Sequence, residues 1–491
     1  MRRSAIGFGL SALLLSSCNL APEYHRPDPK ISPVYPADTH SQAMPAGRQV
    51  ADLGWEDFFT DPRLKKLIEL SLLNNRDLAA QMASVVEQRG LYQIQNAALF
   101  PTISAGGAAM YVSPSEAGGF SFAPGSGRNI STLRFYQTSI GFSSYEIDLW
   151  GRIRNLSRAQ QEQTLSAAEN LRNLWITTIS QVAETYIRWL GDRELLSLAE
   201  RTHASRQKTW ELTKLAYDHG QVDALTLAQI ESQVEQARAD IASQTRAVAD
   251  DEHALQLLVG VPFPADLPPP APMGKQTMVV DLPAGLPFEL VTQRPDIQAA
   301  EHVLEGANAS IGAARAAFLP RITLTASEGT SSLMFRKLFT SMAEAWSISP
   351  SISIPLLTWG QNQGNLRANK ARAAQGAAQY QKAVQSAFRE VADALTARET
   401  YRDQAASLGR YVVKSQQAYD LARMRFRAGI DSYLTTLEQE RQLYAAQQSQ
   451  IAVQATQFQN MVTLYRALGG GWMRKTKSET SSLAGVPVQG K

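Results

Sequence analysis

Cysteine is almost missing from this chain. Cys18 is the single one in 491 residues, so neither a disulfide framework nor a cysteine-based zinc site can form within one copy. Histidine is also sparse: six copies, at 25, 40, 203, 219, 253 and 302, none placed as a metal-ligand pair. An excess of one charge is lacking too. Lys and Arg number 48 against 45 Asp and Glu, a net +3, and the signs are interleaved, which excludes the concentrated basic face of a nucleic-acid binder. Long hydrophobic runs are absent: no stretch after the N-terminus approaches 18 apolar residues, so any membrane crossing there must use β-strands. No nucleophile elbow, phosphate loop or metal box occurs. The expectation is therefore no catalytic residues, no metal and no enzyme activity.

What is present begins with a targeting signal. Arg2 and Arg3 precede the short apolar stretch Ala5 to Leu15, which is too short to span a bilayer as a helix. Leu15-Ser16-Ser17-Cys18 follows and resembles the lipobox of bacterial lipoproteins. On this reading residues 1–17 are a signal peptide. Cys18 becomes the first mature residue and carries covalent lipid, a diacylglycerol and an N-acyl chain such as palmitate. The alternative is an ordinary signal peptide that happens to contain a cysteine. Asn19, in place of an aspartate that would favour inner-membrane retention, points to the outer membrane.

The chain is written twice. Asn75-Arg76-Asp77-Leu78 and Ala97 to Pro101 recur as Arg294-Pro295-Asp296-Ile297 and Ala316 to Pro320, each displaced by 219 positions. Trp150-Gly151, Gly220 and Gly260 recur as Trp359-Gly360, Gly429 and Gly469, displaced by 209, so the first copy holds a ten-residue insertion between Pro101 and Trp150. The expected organisation is a lipidated extended segment (18–54), a first repeat (55–260), a proline-rich link (261–287), a second repeat (288–470) and a polar tail (471–491). The link contains Pro268-Pro269-Pro270 and cannot be helix or central strand.

Each repeat reads as helix, two strands, then two helices. Trp346, Ile348, Pro350, Ile352, Ile354 and Leu356 alternate with serines, and Arg321 to Ser327 alternates likewise. In the first repeat Ile140, Phe142, Ile147 and Leu149 mark a strand that changes phase near Tyr145, and Thr102 to Val112 is a weaker candidate. The loop between them, Pro114 to Gly127, is rich in Gly, Ser and Pro. The bland alternative is a soluble hairpin in each repeat. As membrane strands, four cannot close a barrel and an open edge is not tolerated in lipid. Two chains would supply eight strands and three would supply twelve with a wider lumen.

No proline interrupts Ser157 to His219 or Gln361 to Ala428. Either would be a helix of roughly 90–100 Å if continuous. Leu227, Val234, Ile241, Val248 and Leu255 repeat every seven residues, as do Leu437, Tyr444, Ile451, Phe458 and Tyr465. Such seams give left-handed supercoils. The remaining surface is hydrated, which suits a tube wet on both sides; an exposed structural coiled coil is the rival. The helices turn at Gly220 and Gly429, where glycine ends one helix and a short polar residue can cap the next.

Several short motifs then resemble the TolC-type outer-membrane efflux proteins, in the lipoprotein branch called the NodT family. They are Pro22-Glu23-Tyr24-His25-Arg26-Pro27; Trp55, Phe58, Asp61-Pro62 and Leu64; Arg294-Pro295-Asp296-Ile297 with Ala300-Glu301; Asp148 to Arg152; and Leu468 to Trp472. The resemblance implies a mainly α fold with membrane β. A homotrimer would share one twelve-stranded barrel, four strands per chain, continued by a periplasmic coiled-coil tunnel. It implies an outer-membrane exit duct of a tripartite multidrug-type pump, docked to a periplasmic adaptor and an inner-membrane resistance-nodulation-division transporter. A duct for type I protein secretion is the alternative within that class. It further implies a periplasmic gate just after the second tip: Leu434 as apolar constriction, Glu438 as acidic ring and Arg441 for polar contacts, with Leu225, Gln229 and Ser232 at the matching first-repeat positions. The family more often has Asp where Glu438 stands. Read alone, Glu438 and Arg441 equally fit an i, i+3 surface pair.

Overall fold

The computed structural model describes residues 19–33, 35, 50–112, 133–276, 278, 282 and 294–476. The first repeat contributes α1 (Pro62–Asn74), α2 (Arg76–Ala97), β1 (Ser104–Val112), β2 (Leu133–Glu146), α3 (Arg152–Asp218) and α4 (Ala224–Val259). The second contributes α5 (Pro295–Ala316), β3 (Arg321–Ser332), β4 (Glu344–Ser353), α6 (Gln361–Arg427) and α7 (Tyr433–Ala467). Among the described residues the first repeat thus has an additional helix, α1, ahead of the helix, two strands and two helices that both repeats share. Both proline-free stretches are single helices of 67 residues. No helix among the described residues is long and apolar enough to cross a membrane.

Contacts sort the chain into two compact units. One comprises Met1–Pro27, Val86–Ser166 and Glu301–Gln379; the other comprises Asp28–Val85, Ala167–Ala300 and Tyr380–Lys491. The first unit holds an antiparallel sheet in the order β1-β2-β3-β4. Its N-terminal segment is strapped to α5: Arg26 makes a two-pronged pair with Glu301 at 2.7 and 3.0 Å, and the Tyr24 hydroxyl donates to the same carboxylate at 3.0 Å. Two of the sequence motifs therefore meet each other here, and the fork geometry of a guanidinium on a carboxylate explains why arginine serves.

The second unit is a helical core around Phe58, Leu64, Ile68, Tyr186, Val462 and Tyr465, all nearly inaccessible. Asp61 caps α1 by accepting from Arg63 N at 2.8 Å, with Pro62 in the first helical position where a missing N–H costs nothing. Its other oxygen accepts from Tyr186 Oη at 2.8 Å and Gln276 Nε2 at 2.7 Å. Tyr465 stacks on Phe58 with centroids 4.0 Å apart. Gly470 lies against that ring, so close that a Cβ would sit 2.2 Å from a ring carbon. The Trp55-to-Leu64 and Leu468-to-Trp472 motifs are thus packing and capping devices. Fully burying an aromatic side chain of this kind stabilises by about 2–3 kcal/mol.

The two repeats close on themselves in the same way. Asn75 Nδ2 donates to Leu258 O at 2.9 Å at the end of α4, and Arg294 Nη1 donates to Ala467 O at 3.0 Å at the end of α7. Arg294 is buried, and it also pairs with Asp296 at 2.7 Å and Glu390 at 2.9 Å. A cation at a helix C-terminus is favoured by the helix dipole as well.

Three further details differ from the sequence reading. β2 starts at Leu133 and stops at Glu146, so Ile147 and Leu149 lie beyond it. β4 begins at Glu344 and stops at Ser353 although the alternation runs on to Leu356, because Pro355 has no N–H to donate to a ladder. The proline-rich link holds one 3-10 turn, Met273–Lys275, and Met278 bridges to Phe59, short local structures that its prolines permit. The Pro114 to Gly127 loop lies outside the described residues.

Candidate functional site

Two places carry the functional argument. The first is the sheet. Its register sorts side chains strictly by face, since successive residues of a strand point oppositely. On one face Ala105, Ile140, Glu328 and Trp346 form a row, followed by Phe142, Ala326 and Ile348, then Tyr145, Leu324 and Pro350, then Ile322 and Ile352. On the other face Ser104, Gly141, Ser327 and Ser347 form a row across all four strands, flanked by Gly106, Ser139, Gly329 and Ala345 and by Thr325 with Ser349. Ser327 Oγ and Ser347 Oγ lie 2.9 Å apart.

The phase change near Tyr145 is a β-bulge: the register shifts between Phe142 and Tyr145, with Ser144 at φ 55°. The one extra residue returns Tyr145 to the face of Phe142, and the two rings meet edge to face at 6.1 Å. A bulge is the ordinary way to keep one face apolar while bending a strand.

The apolar face is uncovered in the single chain: Trp346 is 74% exposed, Ile352 65% and Ile348 62%. From Ile322 to Ala326 the band extends roughly 13 Å along β3 before Glu328 ends it. Among the described residues, the outer edges of β1 and β4 have no further strand beside them in the sheet. Among the described residues of the strands, the opposite face bears no ionisable side chain until the helix-proximal end. There Glu146 takes Arg152 in a two-pronged pair at 2.8 and 2.7 Å, with Arg321 at 3.4 Å.

The second place is the pair of helix turns. Gly220 and Gly429 adopt φ of 71° and 72°, the left-handed region that glycine enters without a Cβ penalty. Each closes a Schellman motif: Gly220 N donates to Tyr217 O and Gln221 N to Ala216 O, and Gly429 N donates to Phe426 O and Ile430 N to Arg425 O. The turns then diverge. Asp223 caps α4 through Thr226 N at 2.7 Å, and that hydrogen bond holds its carboxyl below the ordinary value. Ser432 makes no side-chain cap on α7. Arg425 instead clamps Asp431 at 2.6 and 3.0 Å and lowers its pKa by hydrogen bonding and charge.

Leu434 and Glu438 lie one turn apart on the exposed side of α7, while Tyr433 and Leu437 face inward onto Ile230. Glu438 accepts from Gln442 at 3.2 Å, and Arg441 Nε lies 3.4 Å from Gln233 Oε1 across to α4. Leu225 of the first repeat is likewise exposed. Cys18 lies outside the described residues. Sequence reasoning missed a buried ion pair in these helices: Arg206, 4% exposed, holds Glu440 at 2.8 Å and donates to Gln233 O at 3.1 Å. Its only trace in the sequence is a charge near a heptad seam, which no spacing rule separates from surface charge. Among the described residues no cluster of side chains suited to a metal ion occurs.

A mainly helical chain with tandem repeats and a small sheet, apolar on one face and hydroxyl-bearing on the other, defines an outer-membrane channel subunit. Comparison with known proteins agrees. The family described as "Outer membrane efflux protein" matches residues 67–261 and 286–470. The chain belongs to this family and is the outer-membrane component of an efflux system. The toluene efflux pump outer membrane protein TtgC of Pseudomonas putida is 37% identical over 481 residues, 97% of each chain. The cation efflux system protein CusC of Escherichia coli is 34% identical over 464 residues, 94% of this chain and 98% of that one. The open-state crystal structure of the MtrE outer membrane channel of Neisseria gonorrhoeae superposes with a TM-score of 0.85 at 36% identity, covering 94% of this chain and all of that one.

Proposed function

We propose that three copies of this chain complete one twelve-stranded barrel and form the exit duct of a tripartite pump that passes small solutes to the outside. The observation that carries this is the four-stranded sheet with two open edges and one uncovered apolar face. Unpaired backbone N–H and C=O groups cost several kcal/mol each in lipid, so the edges demand strands from other copies. Three copies leave a lumen faced by the serine and threonine rows, whereas eight strands would fill with side chains. The partners on this reading are a periplasmic adaptor and an inner-membrane transporter of the resistance-nodulation-division class. Relatives carry names for toluene, antibiotic and cation efflux. A duct that contributes a wall and not a recognition pocket fits such breadth, and drugs or other toxic solutes are the cargo proposed here.

Leu434, Glu438 and Arg441 form the gate on this reading, just beyond the Gly429 turn. Exposure of Leu434 and Glu438 in one chain supports it, because residues that converge on a shared axis must be free in the single copy. Three carboxylates meeting there would attract cations and repel one another. Replacing Glu438 with Ala should raise the single-channel conductance of the purified protein in a planar bilayer and weaken its cation selectivity. Unchanged currents would remove Glu438 from the gate.

Cys18 is proposed as the lipid anchor, carrying the diacylglycerol and N-acyl chain. Cys18→Ser should lose incorporated palmitate while the protein still assembles as a trimer in detergent. Loss of all folding would refute a role confined to anchoring.

A further inference from the structure

The hydroxyl face of the sheet is not uniform along its length. Beyond the rows of Ser104 and Gly106 comes Ala108 beside Gln137, and then Met110 directly opposite Phe135, with Val112 one row further. Their orientation is set by their neighbours. Tyr111 and Tyr136 stand on the opposite, apolar face, where their rings meet edge to face at 6.0 Å and their hydroxyls lie 3.1 Å apart. Met110, Val112 and Phe135 alternate with these tyrosines and point the other way. They are 55%, 42% and 38% exposed, so packing within the chain does not account for three large apolar groups at this level. Within the paired strands of the second repeat, Ser331 and Ala345 occupy the nearest rows of the same face, and its exposed apolar residues Leu333, Met334 and Phe335 follow β3 outside the ladder.

We propose that Met110, Val112 and Phe135 form an apolar collar at the outer end of the hydroxyl-lined wall, where it takes the hydrocarbon part of amphiphilic solutes on their way out. The collar rests on the duct reading above, which places this face in the lumen. Three copies would set nine such side chains around one ring. A ring of that kind resists full hydration and favours a passing alkyl or aryl group over water. The hydroxyl rows beneath it offer hydrogen bonds without charge, so the two zones together suit solutes with an apolar body and a polar or charged head.

The test is block of current through the full-length protein in a planar bilayer by alkyltrimethylammonium ions of four to ten carbons. With a collar, block should tighten by about twofold or more for each added methylene, towards the limit of about fourfold for full burial. Met110→Ser with Phe135→Ser should flatten that dependence while leaving block by tetramethylammonium unchanged. Trimer mass in detergent qualifies each variant, and Met110→Ser alone replaces the double variant should the latter fail to assemble. An unaltered chain-length dependence in the serine variants, or none in the unmodified protein, overturns the collar and leaves the duct reading intact. Thiol labelling separates the two readings. Met110→Cys should react with a membrane-impermeant thiol reagent that leaves the unmodified protein unlabelled, and Tyr111→Cys should not. The reverse pattern overturns the assignment of the lumen face, and with it the duct reading.

Discussion

The two repeats of this protein solve the same structural problems with different chemistry. Both end their last helix against the start of the helix that precedes the strands, at carbonyls related by the 209-residue displacement, Leu258 and Ala467. In the first repeat a neutral amide, Asn75, does this; in the second a buried guanidinium, Arg294, does it with two carboxylates around it. Both turns use glycine in the same conformation, but the first is capped by Asp223 and the second is clamped by Arg425 and Asp431. The first repeat brings together an acidic pair, half-buried Asp192 and buried Asp251, where the second has Tyr401 and Asn460. Backbone geometry has been kept where the tandem architecture needs it, while side-chain chemistry has drifted wherever another group satisfies the same atom. That drift makes the two halves unequal, and an axis-facing charge at Glu438 with Gln229 at the matching position is one result.

The inequality can be broken experimentally, and the largest effect is expected at the helix ends. Arg294→Ala leaves Asp296 and Glu390 without their cation and Ala467 O without its donor, and should cost about 3–5 kcal/mol. Asn75→Ala removes a neutral donor to Leu258 O and the cap of α2, and should cost about 1–3 kcal/mol. Denaturant unfolding of the two variants measures the difference, and equal losses would mean that the buried charge adds nothing over the amide.

The turns give a smaller contrast. Asp223→Ala removes a side-chain cap and should cost about 1 kcal/mol, whereas Ser432→Ala, which removes none, should stay within about 0.5 kcal/mol. Hydrogen exchange at the first turns of α4 and α7 reads this locally. Faster exchange after Ser432→Ala would show that α7 depends on a cap the geometry does not contain.

The smallest contrast is in pH dependence. Burial, then the neighbouring Asp251 carboxylate, pushes the Asp192 carboxyl up to about 6. Asp251 is itself buried and paired to Arg188 at 2.6 Å. Between the unfolded value near 4 and about 6 the folded chain binds more protons than the unfolded one. Stability from this site therefore falls as pH rises through that window. Asp192→Asn should flatten the fall and raise the melting temperature above pH 6 with little change at pH 4. A variant whose melting profile still drops between pH 4 and 6 by the original amount would place the linkage elsewhere.

Much of this molecule was legible before its coordinates. The strand alternation of Trp346 to Ile352 named the apolar face correctly, because a period of two leaves no choice of side. The change of phase at Tyr145 was visible as a defect in that period and proved to be a bulge. The seven-residue stripes mark the inward side of the helices: Val234, Leu255, Leu437, Ile451 and Tyr465 are buried and the rest of both stripes are half-buried. Gly220 and Gly429 stood out because only glycine enters a left-handed turn cheaply.

Other features had no local signature. Arg26 and Glu301 are 275 residues apart, and nothing in either neighbourhood announces that they pair. Arg206 looks like any solvated helix charge until Glu440, Gln233 O and the ring of Tyr444 are seen around it. The sequence by itself determined the periodic features: the tandem repeat, the strand faces, the helix lengths and the glycine turns, since each depends on dihedral preference or spacing along one segment. Only the tertiary structure decided which charges are buried and which carbonyls they satisfy. Those outcomes turn on desolvation and on partners brought together from distant segments, and neither leaves a mark on the residues nearby.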